Sequence, residues 1–114
     1  MIEIEKPWGK ERIRVKNRSY VIKEIHVNAG KRLSLQYHKE KVETLFFKSG
    51  YGYIEINDLD IPIGRFGDMI HIPPEKVHRI KASPFSDLVL MEVSSPELDD
   101  VVRLEDDYGR IENE

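Results

Sequence analysis

Cysteine is absent from this chain of 114 residues. Disulfides and thiolate ligands are therefore excluded, and any metal ion must be held by nitrogen and oxygen. An excess of one charge is lacking too. The 18 basic and 21 acidic groups leave a net −3, which gives no reason to expect nucleic acid or an anionic membrane as a partner. No apolar run in "MIEIEKPWGKER" is long enough for a signal peptide, and none further along could span a bilayer, so a cytoplasmic location is expected. There is no internal repeat, no low-complexity stretch and no Pro/Gly/Ser-rich linker. One domain over residues 1–114, with a barrel core at about 20–95, is the expected organisation, and a chain of this length can bury a core of its own. Glutamine is scarce as well: the chain has one, Gln36, two residues before His38.

What is present is a series of short apolar or alternating runs: "YVIKEIHV", "RLSLQYH", "ETLFF", "YGYIEI", "DIPI", "MIHI", "VHRIKA" and "LVLMEV". Turn-forming stretches such as "NAGK", "NDLD", "PPEK" and "SPFSD" separate them. About eight short strands at this spacing predict an all-β sandwich or barrel. No helical period is sustained before residue 96. "SPELDDVVRLEDD" is expected to open a short helix with Ser95 as its N-cap, or else to run on as a charged tail.

Side chains two apart in a strand share a face, so Ser34, Gln36 and His38 lie together, opposite Leu33, Leu35 and Tyr37. Such a polar triplet can simply meet water. Glu43, however, opens the next apolar run, and a turn brings it back beside Gln36 and His38. Far along the chain, "GDMIHIPPEKVHRI" turns at a Pro-Pro corner and places His78 at the start of a returning strand. Gln36, His38, Glu43 and His78 would then offer two oxygens and two imidazole nitrogens to one point. That set suits a single divalent ion such as zinc, manganese, iron, cobalt or nickel. Lys23 stands out on the otherwise apolar face Val21, Ile25, Val27. A lysine there either snorkels at an edge or serves a site, where burial would favour its neutral form and make it a candidate base. Lys41, in the turn before Glu43, is a rival base or anion contact, or else a loop lysine in solvent. His26 and His71 lack ligand-spaced partners and are expected to be packing or surface residues. Trp8 is expected to anchor a cap over the barrel.

These residues resemble the cupin family, a double-stranded β-helix or jelly-roll barrel. Gly30, Gln36-x-His38, Glu43 and Gly50 follow its first motif with Gln in place of the first His, and Gly67, Pro73 and His78 follow its second. Glu75 and Ala82 stand where the second motif has Gly and Asn. "LSLQYH" is similar to the ligand strand of mannose-6-phosphate isomerases. "KPWG" at 6–9 and "DDVVRLEDDYGR" at 99–110 are similar to the opening and closing motifs of the type II isomerase domain, so the resemblance spans residues 6 to 110. Between Lys39 and Leu45 the histidines, arginine and aromatic of the type II pattern are missing, and Lys41-x-Glu43 resembles the type I enzyme instead.

The resemblance implies a metal-dependent aldose–ketose isomerase acting on a sugar phosphate, most simply mannose 6-phosphate. Its metal would sit on Gln36, His38, Glu43 and His78. Lys23, Lys41 and Arg110 would be the catalytic candidates, and Ser34, Arg103 and Arg110 would contact substrate. Arg110 fills the terminal Tyr-Gly-Arg position and Arg103 the Val-Arg position. No nucleotidyltransferase segment accompanies the domain, so guanylyltransferase activity is not expected. The rival reading is a non-catalytic cupin that binds a sugar phosphate or nucleotide-sugar as a sensor or accessory module. A metal-dependent dioxygenase is disfavoured by the extra amide ligand. Cupins often pair, and apolar surface on "ETLFF" and "LVLMEV" leads to the expectation of a homodimer.

Overall fold

The computed structural model of the chain describes residues 1–97 and 99–111. Its eleven strands are β1 (Ile2–Lys6), β2 (Gly9–Lys16), β3 (Val21–Val27), β4 (Leu35–Tyr37), β5 (Glu43–Gly50), β6 (Gly52–Ile56), β7 (Leu59–Ile63), β8 (Met69–Ile72), β9 (His78–Ala82), β10 (Leu88–Ser94) and β11 (Val102–Glu105). They form two antiparallel sheets that face each other across the core. One has the order β1-β2-β3-β10-β5-β8 and the other β11-β4-β9-β6-β7. All eight expected runs form strands. The additional ones are β1, β2 and β11.

Local chemistry explains the pairing. In β3 the alternate residues Val21, Lys23, Ile25 and Val27 are all buried, as a strand with one face on the core requires. Strands β6 and β7 join through Asn57 and Asp58, whose φ angles of 53° and 60° make the two-residue turn that suits the right-handed twist of a hairpin. Asparagine and aspartate tolerate that left-handed geometry better than other residues with side chains. Ile25, Leu45, Ile54, Ile63, Ile72, Leu88 and Leu90 are essentially inaccessible and fill the space between the sheets. On the outer face of the larger sheet Phe46, Met69 and Val93 remain open to solvent.

The C-terminal helix expected from Ser95 onward is corrected: among the described residues there is no helix, and Leu98 within that stretch lies outside them. Residues 102–105 instead form β11, which pairs with β4 and sets Arg103 opposite Gln36. The helical reading weighed acidic residues after a capping serine. It overlooked the exposed backbone edge of β4, which a passing segment can satisfy.

No helix among the described residues is long and apolar enough to cross a membrane.

Candidate metal centre

Strands from both sheets converge on one cavity. From the smaller sheet, Gln36 in β4 stands in register between Arg103 of β11 and His78 of β9. From the larger, Glu92 in β10 lies directly opposite Lys23 in β3, and Ser94 opposite Glu43 at the start of β5. Ser34, Gln36 and His38 line the cavity, so the polar face of that segment is the inward one. Leu35 and Tyr37 point the other way and are half-buried, whereas Leu33, expected on their face, precedes the regular strand and is buried in the core, lining the same cavity.

His38, Glu43 and His78 are brought together: one ligand atom from each lies within 4.8 Å of the others. His78 Nε2 is 3.0 Å from Glu43 Oε1, and His38 Nε2 is 3.7 Å from the same oxygen. All three side chains are buried. Each imidazole donates its Nδ1–H to a backbone carbonyl, His38 to Asp100 at 2.7 Å and His78 to Lys76 at 2.8 Å. This fixes the tautomer and leaves both Nε2 lone pairs aimed inward, without hydrogen-bond partners. Three electron-pair donors facing one point in a buried site are costly unless a cation lies among them. The donor set, nitrogen and carboxylate without sulfur, fits a divalent first-row ion. Gln36 lines the same cavity, with its Oε1 accepting a 2.8 Å hydrogen bond from Ser34.

The loop between His38 and Glu43 is held from the far end of the chain. The Asp100 carboxylate accepts the N–H groups of Lys39, Glu40 and Lys41 at 3.1, 2.6 and 2.9 Å. Val42 N–H reaches Ser95 Oγ at 3.0 Å. The segments that carry His38 and His78 are also joined directly, because Glu75 N–H donates to the His38 carbonyl at 2.6 Å. Glu75 adopts φ 67°, the left-handed conformation that accounts for the glycine of the family pattern.

A row of alternating charges leads away from Glu43. Lys41 Nζ lies 3.3 Å from Glu43 and 3.2 Å from Glu92. Lys23 Nζ lies 3.6 Å from Glu92 and 3.2 Å from Glu11, and Lys6 Nζ is 3.6 Å from Glu11. Burial favours neutral Lys41, but the Glu92 and Glu43 carboxylates outweigh it and hold its pKa above the ordinary lysine value. Burial likewise opposes the Glu43 charge, yet its close neighbours, with the Lys41 ammonium among them, keep that carboxyl below the usual range. Glu92 is pushed up to about 7 by burial and by the neighbouring Glu43 charge. His38 is lowered, chiefly by burial.

Lys23, Lys41, Ser34, Arg103 and Arg110 all line this cavity. Arg110 is tied to its own segment: its guanidinium makes two 2.9 Å bonds to Asp106, whose side chain is inaccessible. Trp8 is buried in the core and forms part of the cavity wall. His26 pairs with Asp87 at 2.9 Å, and His71 bonds Thr44 at 3.0 Å on the exposed side of the sheet. Sequence reasoning missed Glu92, Glu11 and Lys6. Glu92 carried the same signal as Lys23, a charge on the face shared by Leu88 and Leu90. Glu11 and Lys6 lie in strands that were not anticipated.

A two-sheet antiparallel barrel with a buried His/Glu/His group inside it defines the class: a cupin. The model of the family "Mannose-6-phosphate isomerase C-terminal" matches residues 1–106, and the chain belongs to that family. It is similar to the mannose-1-phosphate guanylyltransferase ManC of Salmonella typhimurium, with 34% identity over 96% of this chain and 23% of that protein. Similarity to the alginate biosynthesis protein AlgA of Pseudomonas aeruginosa is 32%, over 95% of this chain and 23% of the other. The chain thus spans about a quarter of the length of the curated relatives it matches. Among solved structures, KdgF from a Halomonas species superposes with TM-score 0.77 at 16% identity, covering 88% of this chain and 92% of that one. CapF from Staphylococcus aureus, a capsular polysaccharide assembling protein, gives 0.76 at 20% identity over 91% of this chain and 34% of its own. At these identities the structural likeness establishes the fold alone.

Proposed function

We propose that the chain holds one divalent metal ion on His38, Glu43 and His78, with Gln36 as a fourth ligand, and that it isomerises a sugar phosphate, mannose 6-phosphate first among the candidates. The observation that carries this reading is the pair of inward, unpartnered Nε2 atoms facing the Glu43 carboxylate. Aldose–ketose isomerisation moves a proton between adjacent carbons while negative charge develops on their oxygens. The bound ion would supply Lewis-acid polarisation of the substrate carbonyl.

The remaining work falls to this chain's own side chains. Lys41, kept protonated by its two carboxylates, suits stabilisation of developing oxyanion charge better than proton abstraction. Lys23, between Glu11 and Glu92, faces the same cavity and offers a second cation. Ser34, bonded to Gln36, orients that amide. Arg103 and Arg110 line the same cavity and would offer guanidinium groups to the phosphate of a substrate.

A second reading, a non-catalytic domain that binds a sugar phosphate or nucleotide-sugar beside another activity, is favoured by the altered Lys39–Leu45 segment and by relatives named as guanylyltransferases. A coupled assay with mannose 6-phosphate, with and without zinc, manganese or cobalt, separates the two. Turnover lost to chelator and to His78→Ala supports the isomerase. Sugar-phosphate binding without interconversion supports the accessory domain.

A further inference from the structure

We infer that Lys6 is a further side chain that docks the anionic group of the ligand at the cavity mouth, beside the two arginines. This rests on the reading of the domain as a sugar-phosphate binder and adds to it a residue that the ligand and substrate candidates above do not include. The cavity is rich in cations: Lys6, Lys23, Lys41, Arg103 and Arg110 line it, against the carboxylates of Glu11, Glu43 and Glu92. Most of these cations are already committed. Lys41 is wedged between Glu43 and Glu92, Lys23 between Glu92 and Glu11, and Arg110 is held bidentately by Asp106.

Lys6 differs. Its one ion pair among the described residues is the 3.6 Å approach to Glu11 Oε1, and the other oxygen of that carboxylate is taken by Lys23 at 3.2 Å. Its side chain is 28% exposed, against 10% for Lys23 and 4% for Lys41. It is therefore the ammonium with donors to spare and the least desolvation to undergo. A charge-assisted bond to phosphate is stronger than its long pair with Glu11.

The backbone keeps Lys6 in place. It ends β1 and pairs with Gly9 across a two-residue corner of Pro7 and Trp8. The Trp8 side chain is 2% exposed within the core, and its carbonyl accepts Asn28 N–H at 2.9 Å. Gly9 packs so closely on β3 that a Cβ there would fall 1.9 Å from the His26 carbonyl oxygen. A buried indole and an obligatory glycine thus fix the corner from which Lys6 reaches the cavity. A site on a rigid corner needs little ordering on binding.

The test is calorimetric titration of the metal-loaded chain with mannose 6-phosphate, mannose and inorganic phosphate. Lys6→Ala is expected to weaken mannose 6-phosphate and inorganic phosphate by about tenfold or more, while Lys6→Arg stays within about threefold of the wild type and mannose is unaffected by either. Glu11→Gln, which frees Lys6 of its competitor, is expected to tighten phosphate binding, and to do so less in the Lys6→Ala background. Wild-type affinity in Lys6→Ala, or equal losses for mannose and mannose 6-phosphate, overturns the assignment. A wild-type chain that binds inorganic phosphate but no sugar phosphate refutes the sugar-phosphate reading, and the Lys6 comparison then runs on inorganic phosphate. Binding of none of the three overturns both.

Discussion

Replacing Lys41 with methionine tests the charge arrangement beside the proposed centre. Methionine fills nearly the same volume, so no cavity term is added. The ammonium removed is 4% exposed and lies 3.3 Å from Glu43 and 3.2 Å from Glu92. Breaking a buried ion pair by deleting one partner costs about 3–5 kcal/mol. The lower end applies here, because Glu92 keeps Lys23 at 3.6 Å and, with its pKa already near 7, can take up a proton. At roughly 4 °C per kcal/mol for a domain of this size, the expected fall in Tm is on the order of 12 °C in chelator. In saturating divalent metal the fall should be smaller, since cation charge at Glu43 would replace part of what Lys41 supplied. Thermal unfolding followed by circular dichroism, with and without metal, measures both numbers. A variant within 1 °C of the wild type in chelator would refute the claim that these carboxylates depend on Lys41.

Further expectations concern the scaffold. Asp100→Ala, which releases the 39–41 backbone beside His38, should weaken metal affinity by about 10-fold in a competition titration. Glu75→Gly relieves a left-handed backbone and should raise stability by roughly 1 kcal/mol in urea unfolding. Asp106 is held below the ordinary aspartate value of 3.8 chiefly by its hydrogen bond from Arg110. A carboxyl with a depressed folded pKa stabilises above its unfolded pKa, and that stability is lost as pH falls through the folded one. The Tm gap between wild type and Asp106→Asn should therefore be wide at pH 7 and narrow in acid, as pH falls below 3.8 through the lowered folded value. Equal gaps at both would exclude an ionic role. Gly9→Ala should cost well over about 1 kcal/mol, since its Cβ would meet the His26 carbonyl.

The parts of the fold that could be read in advance were those whose sequence carries a single dominant signal. Strand β3 announces itself by alternation, and the β6–β7 hairpin by Asn57-Asp58 between apolar runs. The grouping of the candidate ligands was legible because strand periodicity put Gln36 and His38 on one face, and because the Pro73-Pro74 corner reset the chain just before His78. Strands β1 and β2 alternate in "IEIEK" and "KERIRVK", but nothing in their own sequence distinguishes Glu11, which faces the cavity, from the exposed Glu3 and Glu5. Strand β11 depends on the open edge of β4, a long-range fact that no local window contains. Arg110 shows the same limit in another form. Its motif position marked it as important, yet the Asp106 that holds its guanidinium was read as part of a charged tail.

The most direct test is a calorimetric titration of chelator-stripped protein with zinc or manganese, repeated for His38→Ala, Glu43→Gln and His78→Ala. One ion per chain, with affinity falling by about 100-fold or more in each variant, is the result this account predicts. A wild type that takes up no divalent ion, or variants that bind it as tightly as the wild type, would contradict it.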